Sequence, residues 1–195
     1  MYSASETIAA LNKEDIVKDV FYTDGDAFQP KGNLLVEYPT ADTVVKMGNV
    51  LPTETTQVMP KVEFKPYDDF QLDLNATYSL IMTDPDAPSR TDHKWSEVCH
   101  YVETGITFES AQGGVISNKG LVRESYLGPG PPKGTGLHRY IFLLYKENNA
   151  KDHTFTEVKD RLNWGYGEPA VGVDKFAAAN NLELLAANFF LAENK

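Results

Sequence analysis

Three side chains in this sequence have the chemistry of a binding or reactive site: the carboxylate of Asp84 and the imidazoles of His100 and His138. Each stands at an end or on an apolar face of a predicted β-strand. Together, a carboxylate and two imidazoles can bind a small anion, exchange protons with a substrate or ligate a metal ion. Each alone is more typical of a hydrogen-bonded core or edge residue than of a functional site. Their value as a site therefore depends on the elements that position them.

Side chains alternate between the two faces of a strand, which predicts how these groups are oriented. Asp84 ends an apolar face of its strand, and His138 begins one at the point where a loop meets the next strand. His100 is predicted to point inward with two valines. The three predicted faces are Leu80, Met82 and Asp84; Val98, His100 and Val102; and His138, Tyr140, Phe142 and Leu144.

Two loops rich in proline and glycine follow predicted strands, "PDAPSR" from Pro85 and "GPGPPKGTG" from Gly128. Proline fixes the backbone, and glycine lets it approach a ligand closely. The two loops predict the rigid rim of a small preformed pocket, with ordinary stiff turns as the alternative. The second loop is not a nucleotide-binding P-loop, because its Lys-Gly-Thr order leads into a strand and not into a helix.

Catalytic and metal-binding interpretations have less support. Cys99 and His100 are neighbours on a strand and face opposite ways, which argues against a thiolate dyad. No motif of a serine hydrolase or a zinc peptidase is present. Asp84 and the two histidines could form a metal site, but no short ligand spacing supports one, so we predict neither a metal nor another cofactor. A hydrolase that uses these three groups as acid and base stays open as an alternative.

The elements that must position these groups are mostly strands, with helices near the chain ends. Because strands and helices do not alternate regularly, antiparallel sheets are favoured over a parallel one. An amphipathic helix is predicted over Ser5–Val20 with Ser5 as N-cap, and short helices over Thr154–Arg161 and Asp174–Asn181. Leu162–Val173 is predicted to be an ordered loop. The predicted strands are Asn33–Tyr38, Val44–Met47, Val62–Phe64, Tyr78–Thr83, Val98–Glu103, Leu121–Tyr126, Arg139–Lys146 and Leu182–Asn194.

Composition and charge restrict the class of protein. The 195 residues, 42% of them hydrophobic, predict one domain over residues 1–195. A net charge of -10 disfavours nucleic acid and anionic lipid surfaces as partners. Tyr126–Lys146 is the local exception, since it carries basic residues and no acidic one and could receive an anion. No apolar run approaches the ~20 residues of a membrane span.

The predicted location is cytoplasmic. The N-terminal residues lack the basic start and apolar block of a secretory signal. The one cysteine, Cys99, cannot form an internal disulfide, which agrees with a reducing compartment. A vacuolar location and peripheral association with a membrane are the alternatives.

At "DPDAPSR" and "GPGPPKGTGLHRYIFLLYK" the sequence resembles the phosphatidylethanolamine-binding protein family, also called the Raf kinase inhibitor family. Both signature segments are present in the family order, and the resemblance extends over nearly the whole chain. "FQPKGNLLVEY", "MGNVLPTE" and the C-terminal segment from "DRLNWGYG" resemble the fungal branch most. The resemblance implies a mostly β fold, with a large central antiparallel sheet, a smaller sheet, a few peripheral helices and an anion pocket at one end.

The family's pocket positions carry over to this sequence by resemblance. Trp95 stands where the family often has a tyrosine, and Val98 where it often has a tryptophan, so one aromatic wall differs. The chain also ends after its last predicted strand, without the additional C-terminal helix of the animal members. The ligand-binding residues that the resemblance implies are Asp84, Ala87, Pro88, Trp95, His100, Gly128, Gly130, Pro131, His138 and Tyr140.

The resemblance also implies a function. It is that of a binding protein, not an enzyme, which holds a phospholipid headgroup or another small anion and, like its fungal relatives, inhibits a serine carboxypeptidase of the carboxypeptidase Y type. The alternative is a signalling scaffold that binds a kinase or a Ras-regulating protein without inhibiting a protease. The two motifs mark the pocket and not the protease contact, so they identify no inhibitory residue.

Overall fold

Two β-sheets and three short helices make up the fold of the computed structural model, which describes residues 1–21 and 28–195. The larger sheet has the strand order β2-β9-β8-β4-β5-β7, and the smaller one β1-β3-β6. The strands are β1 (Gly32–Glu37), β2 (Asn49–Val50), β3 (Lys61–Pro66), β4 (Tyr78–Asp84), β5 (Val98–Ile106), β6 (Gly114–Val115), β7 (Leu121–Glu124), β8 (His138–Glu147) and β9 (Leu182–Ala192). The helices are α1 (Ala4–Lys13), α2 (Ile16–Val20) and α3 (Val173–Ala179), with 3-10 turns at Thr53–Thr55 and Asn163–Gly165.

The prediction of a mostly β protein with a large and a small sheet is confirmed. All pairings are antiparallel except that of the two-residue strand β2, which runs parallel to β9. The central strands are covered on both sides, and all seven residues of β4 are buried. No helix follows β9 in the described chain, and none of the helices described is long and apolar enough to cross a bilayer.

Side chains of the large sheet pack in two hydrophobic clusters, one on each face, because successive residues of a strand face opposite ways. On β8, Tyr140, Phe142 and Leu144 pack toward the small sheet. Ile141 and Leu143, between them, pack toward the helices on the other face. The face predicted for β8 is therefore confirmed, and it ends at His138, at the edge of the first cluster.

The N-terminal helix differs from the prediction at its start and in its middle. Its N-cap is Ser3 and not Ser5, since Ser3 and Glu6 form a capping box. The helix then breaks at Asp15, which has the left-handed φ of 54°. The break has a tertiary cause, because the carbonyl of Glu14 accepts hydrogen bonds from Arg90 and Arg139 instead of continuing the helix.

Two further predictions of local structure are wrong. Val44–Met47 forms only an isolated bridge between Val44 and Glu37. Thr154–Arg161 is not helical. In that segment the backbone N–H of Thr156 donates to the side chain of Asn180 at 3.0 Å, and Phe155 stacks on Phe176, so contacts with the α3 region hold it in a non-helical path.

Candidate functional site

A cavity of about 290 Å³ lies where β4, β5 and β8 meet the two proline- and glycine-rich loops. All ten residues that the sequence predicted for the pocket line this cavity. The structure thus brings together side chains from four separate segments of the chain. The lining is Asp84, Ala87, Pro88, Trp95, Val98, His100, Leu127, Gly128, Gly130, Pro131, Pro132, His138, Tyr140 and Leu162.

Asp84, the last residue of β4, joins the first loop to β8. Its Oδ1 accepts the backbone N–H of Asp86 at 2.7 Å, which fixes the turn of the loop. Its Oδ2 lies 3.1 Å from Nδ1 of His138. The carboxylate is 4% exposed, and these two partners hold the charge in place within the protein.

His138 is held on both sides. Besides the contact with Asp84, its Nε2 lies 2.9 Å from Oγ1 of Thr135, whose hydroxyl donates to the carbonyl of Pro132 at 2.7 Å. Both ring nitrogens therefore already have partners. His138 stabilises the wall and the second loop, and it offers no free nitrogen to a ligand.

His100 reaches the cavity through a β-bulge that alternation along the strand did not predict. The pairing of β4 with β5 runs from Met82–Tyr101 to Thr83–Cys99, so His100 has no direct partner. As a result Cys99 and Val102 both pack in the cluster on the helix side, and Tyr101 packs in the other. The predicted common face of His100 and Val102 is wrong, because the bulge re-aims the strand between them.

One nitrogen of His100 is free. Its Nδ1 lies 2.6 Å from the carbonyl of Leu127, and this nitrogen must carry the hydrogen, since a carbonyl only accepts. Burial is the main cause that lowers the pKa of His100 below its ordinary 6.5, which keeps the ring neutral near pH 7. Nε2 has no protein partner among the described hydrogen bonds and presents a lone pair.

Tyr140 supplies the complementary group. Its ring lies between the two imidazoles, with centroids 5.3 Å from His100 and 6.3 Å from His138. Its buried hydroxyl makes no direct hydrogen bond in the described chain, although the carboxylate of Asp84 lies close enough to act on it as a weak acceptor. Burial, with the negative charges of Asp84 and Asp86, raises the pKa of Tyr140 well above its ordinary value, so the hydroxyl stays a donor.

Of the basic residues of Tyr126–Lys146 only His138 lines the cavity, and the lining contains neither lysine nor arginine. Lys146 pairs with Asp73, and Lys133 is exposed. Arg139 follows His138 on β8 and therefore faces the other way, where it is fully buried against Asp86. The arginine and lysines of this segment therefore do not lie where they could receive an anion in the cavity.

Apolar side chains that the prediction left out complete the wall. Leu127 and Leu162, together with Trp95, are each about two-fifths exposed and frame the mouth. Leu162 reaches the site through a bridge to Val98. Because Leu162 lies in a distant loop, nothing in its local sequence indicated this role.

The two glycines of the second loop are expected to differ in their tolerance of alanine. A Cβ on Gly128 would come within 2.8 Å of the backbone of Gln57, whose side chain is fixed by bonds to Pro129 and Thr53. A Cβ on Gly130 would meet nothing within 4 Å. Gly128→Ala should therefore lower the free energy of unfolding by on the order of 1 kcal/mol.

Urea denaturation of both variants tests this, with Gly130→Ala as the matched control that should stay within about 0.5 kcal/mol of the parent. Equal stabilities would show that the approach of Gly128 to Gln57 does not constrain the loop.

The two sheets, with a small cavity at the ends of the central strands, define a mostly β protein with a cavity at one end of its large sheet. The family model described as phosphatidylethanolamine-binding protein matches residues 41–190. The chain belongs to the phosphatidylethanolamine-binding protein family, as its two motifs predicted.

Two Saccharomyces cerevisiae proteins resemble the chain over nearly their full length. One, described as uncharacterized, is 48% identical over 98% of this chain and 95% of its own. The other, carboxypeptidase Y inhibitor, is 43% identical over 98% of this chain and 97% of its own.

Solved structures agree with this relationship. The crystal structure of carboxypeptidase Y inhibitor complexed with the cognate proteinase has a TM-score of 0.91 at 43% identity, covering 98% of this chain and 97% of the other. A phosphatidylethanolamine-binding protein from Plasmodium vivax, 22% identical, has a TM-score of 0.73 over 96% of this chain and 97% of its own, and shows the fold alone.

Proposed function

We propose that this protein inhibits a serine carboxypeptidase of the carboxypeptidase Y type and that its cavity binds a small oxyanion, such as the phosphate group of a phospholipid headgroup. The inhibitor proposal rests on one observation, the 0.91 TM-score to an inhibitor solved together with its proteinase. Both chains are matched over nearly their full length, although the alignment with carboxypeptidase Y inhibitor spans 217 positions against the 195 residues of this chain, so the relative has additional segments that this chain lacks.

The anion proposal rests on the polar groups that face the cavity without a protein partner. Tyr140 offers a buried O–H. The backbone N–H groups of Gly128 and Gly130 also donate to no acceptor among the described hydrogen bonds, and both residues line the cavity. A buried donor without a direct partner is costly, and a bound oxyanion would satisfy the hydroxyl of Tyr140 together with the N–H groups of the half-buried Gly128 and the exposed Gly130.

Titration of carboxypeptidase Y with the purified chain tests the inhibitor proposal. Hydrolysis of a peptide substrate should fall in proportion to the added chain until protease and chain are equimolar. A complex with a Kd of about 1 nM forms stoichiometrically at micromolar concentrations. The same chain after heat denaturation is the control for nonspecific effects, and trypsin is the control for specificity.

An unchanged rate at micromolar concentrations of folded protein would defeat the inhibitor proposal. It would favour the alternative of a regulatory binding protein without protease inhibition. The cavity proposal does not depend on this outcome, because the signature motifs line the cavity and do not define the protease contact.

A further inference from the structure

The free polar groups of the cavity have a fixed polarity. The hydroxyl of Tyr140 is a donor that makes no direct hydrogen bond, with Asp84 as a weak acceptor nearby, and Nε2 of His100 is an acceptor without a partner among the described hydrogen bonds. The two rings are perpendicular neighbours, with centroids 5.3 Å apart. Both residues line the cavity, so a ligand group bound between them has to offer an acceptor to the tyrosine and a donor to the histidine.

The neighbours of His100 prevent it from reversing this polarity at low cost. Its Nδ1–H is committed to the carbonyl of Leu127, so the ring cannot move its hydrogen to Nε2 without breaking the 2.6 Å bond. Nε2 could become a donor only if the ring took up a second proton, and burial opposes that charge.

Other charged and titratable groups near His100 also affect its pKa, but together they do not cancel the lowering caused by burial. On β4, Asp84 favours the protonated ring, and the bond to Leu127 acts the same way. His138, on β8, disfavours protonation of the ring. Arg161, just before the 3-10 turn Asn163–Gly165, does the same, and its guanidinium donates to the carbonyls of Cys99 and His100 at 3.0 and 3.4 Å. The net effect lowers the pKa of His100.

A fully deprotonated oxyanion fits this arrangement poorly. Its oxygens can accept from Tyr140, but they would face the lone pair on Nε2 of His100. The cavity lining has no lysine or arginine to offset that contact. An acid that keeps one hydroxyl can donate to Nε2 through that hydroxyl while its other oxygens accept from Tyr140 and from the free N–H groups of the glycine loop.

We propose that the cavity selects ligands that bring their own proton, such as the monoprotonated form of a phosphate monoester, over phosphodiesters of the same charge. This inference rests on the proposed anion site and specifies its ligand class. Among phospholipids it favours headgroups that end in a phosphate monoester. A diester can bind only with uptake of a proton by the protein.

The test compares two ligands that share the same ammonium group, O-phosphoethanolamine, a monoester, and glycerophosphoethanolamine, a diester. At about pH 5.5 a monoester is mainly a monoanion, because its second pKa is about 6. We expect calorimetry to give at least a tenfold higher affinity for the monoester, with well under half a proton taken up from the buffer. Diester binding, where measurable, should take up close to one proton.

The pH dependence of the two affinities gives a second readout. Above about pH 6 the monoester affinity should fall about tenfold per pH unit, as the protonated ligand disappears. Affinity for the diester should instead keep rising as the pH falls below 6.5. The pKa of His100 lies below that value, and the protonated ring supplies the donor that the diester lacks. The monoester affinity therefore levels off below about pH 6, the second pKa of the ligand, whereas the diester affinity levels off only below the lowered pKa of His100.

Three variants separate the roles of the two groups. Tyr140→Phe should weaken both ligands by a similar factor with little loss of stability, since the hydroxyl makes no direct hydrogen bond in the free protein. His100→Gln can place an amide N–H near the position of Nε2, and the preference for the monoester should fall toward unity. His153→Gln, far from the cavity in the loop that contacts Asn180, is the matched control and should change neither affinity.

Two results would overturn the inference. Equal affinity for both ligands, with no proton uptake by the diester, would refute the selection of proton-bearing ligands and leave the anion site standing. Absence of binding by both ligands at every pH, in a protein shown to be folded by circular dichroism, would refute the proposed anion site together with this inference. The measurements on the parent chain decide between these results even if a variant fails to fold.

Discussion

Replacing Arg139 with methionine is expected to lower the free energy of unfolding by about 3 to 5 kcal/mol, because it leaves a buried carboxylate without its counter-ion. The guanidinium is fully buried and donates to both oxygens of Asp86, at 2.9 and 2.7 Å. It also donates to Asp19 at 2.8 Å and to the carbonyl of Glu14 at 2.9 Å. Methionine retains much of the length of the side chain but none of these donors.

Urea denaturation of the variant and of Arg90→Met measures the effect. Arg90 is the matched control, since it also bonds to Glu14 but is one-third exposed, and the loss of an exposed ion pair costs at most about 1 kcal/mol. Adding Asp86→Asn to Arg139→Met should recover part of the loss by removing the unpaired charge. Equal losses in the two single variants would contradict a dominant role for the buried pair.

Asp84→Ala is expected to weaken phosphoethanolamine binding roughly ten- to hundredfold, equivalent to the 1.5–3 kcal/mol typical of a hydrogen bond to a charged group. The substitution removes the partner of Nδ1 of His138, so the ring and the loop at Thr135 lose their fixed position. It also removes the acceptor that holds the N–H of Asp86. The wall of the cavity would lose its order even though Asp84 itself has no free oxygen for the ligand.

Calorimetry at about pH 5.5, where the monoester is mainly a monoanion, measures this loss. Asp84→Asn keeps the shape and one acceptor oxygen and should give an intermediate affinity. Asp68→Asn changes the net charge equally at an exposed position outside the cavity and should leave the affinity unchanged. An Asp84→Ala protein that is folded and binds as tightly as the parent would contradict this assignment.

The two predictions concern one motif. His138 and Arg139 are consecutive on β8 and face opposite ways, and they pair with Asp84 and Asp86, two residues apart in the first loop. The segment "DPD" thus provides one carboxylate for the cavity wall and another for the contact with the N-terminal helices. This dual use explains why a polar cluster directly follows the apolar strand β4.

Much of the fold and the cavity was accessible from the sequence because local patterns encode it. Strand periodicity identified the buried faces of β4 and β8, and the two loops marked the ends of their strands. The family resemblance added Ala87, Pro88 and Gly130, and all ten predicted residues line one cavity. Proline, glycine and alternating apolar residues restrict the backbone through their own sterics, independent of distant partners.

Tertiary contacts decided what local patterns could not. The bulge beside Cys99 turns His100 toward Tyr140. Hydrogen bonds from Arg90 and Arg139 to the carbonyl of Glu14 end α1. The side chain of Asn180 accepts the N–H of Thr156, which holds that segment in a non-helical path. The sequence, with the family resemblance, thus identified ten of the residues that meet at the cavity but not Leu127 or Leu162. Which of their atoms remain free there depended on partners far along the chain, because a hydrogen bond is set by the positions of both groups and not by either residue's neighbours in sequence.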